Sequence, residues 1–370
     1  MIEIKRVKKR NILTLISDED FWNHEFLAIS KHRLYSHFKN PNLEEDDLVL
    51  LLSYLDKELV GYLGVFIDKI MLNGKEEKIG WLSTWWVHPK TKGKGIGREL
   101  LHAMYTDNKG KIGISQFTPS AKRVYDKSGY FVDLKVNKGV KAVLRSNMSF
   151  VMPILFSKTK KMIKVLNMFD DFINIFINGK LSIQRKFITS KNHTINLEYV
   201  NIVDHEILSV IHKFNKKDIS YKGAAFFEWM KAYHWVIKAP LLNETNKSKY
   251  EFSMYDVAFD YFLIKLKEKN RCVGFIVLQR RNTSLKVLFT YYDKTKKVDV
   301  VSDIIKLHAI DLGVREIICY DEEISENLNK SKLFLYKRKK VKQSIISKAF
   351  GSTNFEEVRM NFGDGDCSFA

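Results

Sequence analysis

The stretch VHPKTKGKGIGREL at 87–100 sets glycines at 93, 95 and 97 between a β-prone run and an amphipathic one. A strand entering a glycine turn and leaving as a helix presents unpaired backbone N–H groups at the helix start. Glycine lets the main chain approach a phosphate closely, and the helix dipole favours the anion. Lys92 and Lys94 add positive charge as point charges, without the fork of an arginine. The turn by itself therefore predicts anion binding and nothing narrower. The spacing excludes a Walker loop. A dinucleotide-binding fingerprint fits poorly, because two strands precede the turn and the third glycine of that motif is missing at its offset.

Outward from the turn, LVLLLSYLDKELVGYLGVF at 48–66 reads as two strands around a polar break at 56–58. KIGWLSTWWV at 78–87 is a further strand, ended by Pro89, which cannot donate to a ladder. After the turn, 97–106 is a helix with Leu100, Leu101 and Met104 at helical spacing. A strand near 111–117, a helix over 119–127 and a strand from Tyr130 complete a mixed α/β unit.

Val87-His88-Pro89 followed by Lys92-Gly93-Lys94-Gly95-Ile96-Gly97 resembles the pyrophosphate-binding motif of the GCN5-related N-acetyltransferases (GNAT). TPSAKRVYDKSGY at 118–130 resembles the second motif of that family, through Ala121, Tyr125, Gly129 and Tyr130. The resemblance covers roughly residues 20–140. It implies the GNAT fold, a mixed and mostly antiparallel sheet flanked by helices, and transfer of an acyl group, acetyl first of all, from acyl-CoA to a primary amine without a metal. By the same resemblance the main chain at Trp85, Trp86 and Val87 splays from its neighbour and takes the pantetheine arm. Lys92, Gly93, Lys94, Gly95, Ile96, Gly97 and Arg98 cradle the pyrophosphate, and Tyr125 protonates the departing thiolate. Lys92 stands where glutamine or arginine is usual and Thr118 where asparagine is usual, with Ser120 close enough to share the contact.

A substrate ammonium must lose its proton before it attacks, and the strand at 78–87 offers no carboxylate near its end. Candidate bases are His88, His32, His37, Asp46 and Asp47. Of these, only His88 is fixed near the turn by sequence, although a lone histidine is more often structural. Ser83 and Thr84 are placed to orient a relay water or to fill the strand. The segment from Phe21 to Asp47 reads as a helix and a turn, and the resemblance implies that it covers the acceptor pocket, which brings His32, Arg33 and His37 toward an anionic or sugar substrate. This segment, the WLSTWWVHP strand and the tail NFGDGDCSFA resemble acetyltransferases of bacterial surface-polysaccharide synthesis, implying a nucleotide-linked amino sugar as acceptor.

Between Phe150 and Phe187 the chain changes character, with Met162, Val165, Leu166, Phe169, Phe172, Ile173 and Phe176 spaced as on one helical face behind Lys158, Lys160, Lys161 and Lys164. An interfacial membrane helix has this pattern. The reading preferred here is a helix packed between two domains. Beyond it, FLIKLKEKNRCVGFIVLQ at 262–279 echoes 48–66, and 285–313 follows the order of 78–107 with Lys297–Asp299 in place of the glycines. The expected organisation is a catalytic domain over 1–149, a helical connector over 150–195, a degenerate GNAT-like copy over 196–350 and a tail over 351–370. An internal duplication requires the same strand order in both halves. In the tail, Asp364 and Asp366 lack the further ligands of a calcium loop and predict a turn that docks the C-terminus near the acceptor.

A chain of 370 residues is long enough for two domains. Cys272, Cys319 and Cys367 are odd in number and without metal spacing, as expected of a reducing, cytoplasmic setting. The formal net charge of +19 attracts anions of every kind. The aromatics form no nucleic-acid signature, so a lysine-rich solvated surface is the preferred reading over nucleic acid, with peripheral membrane contact left open. Two further readings stay open: an acyltransferase on a protein, peptide or aminoacyl acceptor, and a basic binding module that keeps the fold without the chemistry.

Overall fold

The polar break at 56–58 is a two-residue turn in which Asp56 and Lys57 have φ of 52° and 70°, as a type I′ hairpin requires. The computed structural model, which describes residues 2–23, 26–191, 194–238, 255–351, 355 and 357–369, repeats this turn at Lys269 and Asn270, with φ of 47° and 62°. Each turn joins two strands of a single twelve-stranded sheet. In chain order these are β1 (Ile2–Lys8), β2 (Leu48–Leu55), β3 (Glu58–Leu72), β4 (Lys75–Val87), β5 (Ile112–Ile114) and β6 (Phe131–Val143). The second half supplies β7 (Ile195–Val200), β8 (Phe259–Glu268), β9 (Arg271–Arg281), β10 (Ser284–Tyr292), β11 (Glu316–Cys319) and β12 (Tyr336–Ser347).

The sheet order is β1-β2-β3-β4-β5-β12-β6-β11-β10-β9-β8-β7. From either edge the halves read alike, strand for strand, so the condition set by the internal echo is met. β4 runs parallel to β5 through Gly80 and Trp81, as β10 does to β11 through Ser284, Leu285 and Lys286. The last strands are exchanged. β12 pairs with β5 through Ile345 and Ile346, while β6 pairs with β11. Between them β6 and β12 form an antiparallel ladder from Tyr336↔Val143 to Ser347↔Phe131. The expectation that the strand from Tyr130 closes the first unit is corrected by this exchange, because short β5 takes its second neighbour from the far end of the chain.

Helices α1 (Ile12–Ser17), α2 (Glu19–Trp22), α3 (Lys31–Phe38), α4 (Ile96–Asp107) and α5 (Pro119–Ser128) belong to the first half. Leu100, Leu101 and Met104 of α4 are buried with Leu34 of α3 and Leu63 of β3 in one core. Each such side chain contributes roughly 1.5–3 kcal/mol by leaving water. A second core centred on Trp81, Phe66, Trp229, Phe289 and Phe369 fuses the two halves. A third lies under the second half's helices.

The connector forms α6 (Met148–Leu155), a 3₁₀ turn at Ser157–Met162 and α7 (Ile163–Lys191). Its anchor is the face opposite the expected stripe. Asp170 accepts from Ser146 Oγ at 2.5 Å and from the Met148 and Ser149 amides at 2.8 and 2.9 Å, and Leu181 joins the third core. Met162, Val165, Phe169, Phe172 and Phe176 are therefore exposed rather than packed between domains. The second half then supplies α8 (His205–Phe214), α9 (Ala224–Ala232), α10 (Lys294–Asp311) and α11 (Glu322–Lys330).

Candidate functional site

Beyond Trp81, β4 continues along β3 as far as Val87 while β5 stops at Ile114. The two strands splay. The register slips between Leu63 and Gly64, which leaves Thr84 as an extra residue with φ of 49°, a bulge that re-aims Trp85 to Val87. Between the splayed strands lies a cleft of about 1080 Å³.

One wall is the glycine turn. Gly93 and Gly95 have φ of 88° and 81°, and Gly95 caps α4 without a side chain. The Arg98 and Glu99 amides return to the Gly95 carbonyl at 2.9 and 3.1 Å. No protein acceptor faces the amides of Ile96 and Gly97 among the described residues. A methyl on Gly97 would stand 3.3 Å from the Trp85 ring, so the helix start lies close on β4. Exposed Lys92 and Arg98 also line the cleft. The donor set of open amides and cations fits a pyrophosphate.

Tyr125 of α5 lines the same cleft, buried between the rings of Trp85 and Phe131, each 5.4 Å away. Burial, reinforced by the charge of Asp366, pushes its phenol well above the ordinary value, so it keeps its proton. Thr118 caps α5, accepting from the Ala121 amide at 3.3 Å, and its hydroxyl lies 2.9 Å from that of Ser120. The Trp85 indole N–H finds no partner among the described residues.

Of the residues singled out in the sequence, the cleft brings together Arg33, Ser83, Thr84, Trp85, Val87, Lys92, Gly93, Gly95, Ile96, Gly97, Arg98, Thr118, Ser120 and Tyr125. Trp86, Lys94, His88, His32 and His37 lie outside the lining. Strand alternation turns Trp86 to the other face, stacked 5.4 Å from Tyr62. His88 accepts from the Lys90 amide at 3.0 Å and so caps a short turn. Asp47 holds Lys78 at 3.0 Å and Asp46 holds Arg10 at 2.7 Å, both away from the cleft.

The two histidines of α3 are fixtures between the halves. His32 Nε2 lies 2.7 Å from the Trp235 carbonyl, and the His37 ring is 4.8 Å from that of Trp235. Burial lowers His32 to about 4 and, with the Arg33 charge, takes His37 well below the usual imidazole range. Neither is charged at neutral pH. Arg33 reaches the cleft, donating to Ser83 Oγ at 2.9 Å and lying 3.9 Å over the Trp235 ring.

The far wall comes from Trp235, Arg281 and Phe369, which sequence reasoning missed, and from Asp366, which it put in a docking turn near the acceptor without counting it among the candidate bases. The tail docks as a folded turn. Asp364 accepts from the Asn361 amide at 2.6 Å and from Ser220 Oγ at 2.8 Å, and Phe369 stacks 4.4 Å from Trp235. A Cβ on Gly365, whose φ is 72°, would come within 2.6 Å of Ser115, so only glycine lets the tail lie this close to the end of β5. The Ser115 hydroxyl donates to Asp366. Burial raises the Asp366 carboxyl, against the lowering pull of Ser115, Arg33 and Lys342. The GDGDC segment announces a turn that docks near the acceptor, but nothing in it marks the Asp366 carboxylate as a base.

In the second half, α10 begins directly after β10, and its cap Asp293 accepts from the Thr295 amide at 3.2 Å. An acidic cap occupies the donor that a phosphate would need. The only cradle of this kind among the described residues is that of the first half.

Comparison with known proteins agrees with this geometry. Residues 20–132 match the family model of the acetyltransferase (GNAT) domain. A search of curated proteins gives no match. Among solved structures, a GCN5-related N-acetyltransferase from Anabaena variabilis is similar with a TM-score of 0.51 at 10% identity, over 93% of this chain and 72% of that one. A probable N-acyltransferase from Enterococcus faecalis gives 0.52 at 8%, over 94% and 73%. An N-myristoyltransferase from Saccharomyces cerevisiae with bound myristoyl-CoA gives 0.50 at 10%, over 93% and 78%. At such identities the likeness is one of fold, and it runs through both halves.

Proposed function

We propose, from the premise that the chain carries a GNAT acyltransferase domain, that it moves an acetyl group from acetyl-CoA to the primary amine of a small anionic molecule, with a nucleotide-linked amino sugar as the leading acceptor. The observation that carries this reading is a single cleft combining the glycine cradle, the splay of β4 from β5, Tyr125 and Asp366. An acyl-CoA bound there supplies an activated carbonyl on a thiolate leaving group.

The amides of Ile96 and Gly97, with Lys92 and Arg98, hold the pyrophosphate, while the free edge of β4 beyond Ser83 lies open to the pantetheine arm. Asp366 takes the proton of the acceptor ammonium, a role for which a carboxyl raised by burial is better matched than one at its ordinary value. Tyr125, which keeps its proton, gives a hydrogen bond and then the proton to the departing sulfur. Arg33 and Arg281 supply positive charge on the acceptor side, and Trp235 and Phe369 supply flat surfaces for a ring. His88 serves the fold as a cap, not as the base.

The test is thiol release from acetyl-CoA against a panel of nucleotide-linked amino sugars, free amines and peptides. Turnover with the nucleotide sugars, lost in Arg33→Ala, supports the reading. Turnover confined to peptides moves the acceptor to a protein, and no thiol release with any amine while nucleic acid is retained favours a binding module.

A further inference from the structure

Apart from the cleft, the α6–α7 hairpin turns apolar side chains to solvent. Ile154, Leu155 and Phe156 at its tip are 58–69% exposed. Along α7, Val165, Met168, Phe172, Phe176, Ile183 and Phe187 are 57–72% exposed. At helical periodicity these six fall within an arc of about 100°. The opposite face carries Asp170, Asn174 and Leu181, all buried against the protein. A helix apolar on its free side as well as anchored on the other has a second partner.

Charge identifies that partner. Residues 148–191 hold eight Lys and Arg but only two acidic residues, Asp170 and Asp171. Asp170 is spent on the buried amides of α6. Lys158, Lys160, Lys161 and Lys164 are exposed at the apolar tip, and Lys180 and Lys186 are exposed beside the stripe. A second copy of the chain would bring lysine against lysine along the contact, whereas an anionic lipid surface neutralises every one of them. The helix is about 43 Å long at 29 residues. No helix among the described residues is long and apolar enough to cross a membrane. The geometry is that of a helix lying in the plane of the interface.

We propose that the α6–α7 hairpin docks the enzyme on membranes rich in anionic phospholipid, with the stripe from Val165 to Phe187 in the acyl boundary and the lysines on the headgroups. The proposal is independent of which acceptor the cleft takes.

The test is flotation of the full chain with phosphatidylcholine vesicles with and without phosphatidylserine. Binding to the serine-containing vesicles alone, weakened by high salt, is expected. Replacing Lys158, Lys160, Lys161 and Lys164 together with Gln lowers partitioning by roughly 600-fold, at about fivefold per lysine. Phe172→Gln with Phe176→Gln, at exposed positions, also releases the protein while leaving acetyl-CoA binding unchanged. Equal recovery with both vesicle types, or no loss in either variant, overturns the proposal. So does a dimer in light scattering that the Phe variants dissociate, since the stripe would then belong to a second copy.

Discussion

Gly95→Val tests the glycine cradle without knowledge of the acceptor. Gly95 has φ of 81° and begins α4. A β-branched residue is an outlier at positive φ, and the left-handed conformation costs it at least about 1–2 kcal/mol. Gly93 and Gly95 lie in an exposed or half-exposed turn with no dense packing to impose the conformation. The variant therefore relaxes the turn in the free protein, and the strain is met when ligand restores the cradle. At 1.4 kcal/mol per tenfold, acetyl-CoA binding weakens by roughly 5–30-fold. Isothermal calorimetry with acetyl-CoA measures this directly. Gly129→Val is the matched control: Gly129 has φ of 72°, caps the C-terminal end of α5 and meets nothing within 4 Å. It should keep its affinity for acetyl-CoA. Unchanged acetyl-CoA affinity in Gly95→Val would refute the cradle.

The same geometry gives three further outcomes. Asp366→Asn keeps an acceptor for Ser115 but removes the base, so kcat/KM falls by about 10²–10⁴ and the acid limb of its pH profile disappears, while acetyl-CoA affinity measured by calorimetry stays the same. Tyr125→Phe keeps the ring packing and lowers kcat on the order of a hundredfold with KM for acetyl-CoA unchanged, as steady-state kinetics will read. Asp364 is raised from 3.8 to about 6 by burial, so the folded state binds its proton more tightly than the unfolded one. Its contribution to stability is complete below about pH 4 and is lost as pH rises through 6, up to roughly 3 kcal/mol, and denaturant titrations of Asp364→Asn should lack that dependence.

The local elements were legible because each is decided within a few residues. The hairpin at Asp56 and Lys57, the buried Leu100, Leu101 and Met104 of α4, and the helix that follows Thr118 all lie where periodicity and turn chemistry put them. What failed was long-range. Nothing near β5 announces that its partner is β12, over two hundred residues on, because Ile345 and Ile346 look like any buried strand. Asp366 escaped for the same reason, since a carboxylate is seen as a base only when its position in space is known. The stripe on α7 was read with the right period and the wrong neighbour. Asp170 and Asn174, polar residues in an apolar helix, hold the backbone of 146–149, and this reverses which face is buried.

The exchange of β6 and β12 also orders events in time. As the chain leaves the ribosome, β1 to β5 can assemble while the edge of β5 next to its future partner stays bare, and so it remains until residues 336–347 emerge. An unpaired edge in a half-made sheet invites pairing with another nascent chain. Asp366 emerges later still. The polypeptide thus acquires its proposed base only after the sheet has sealed, so a stalled or truncated product carries a cradle for the acyl donor without the carboxylate that would put it to use.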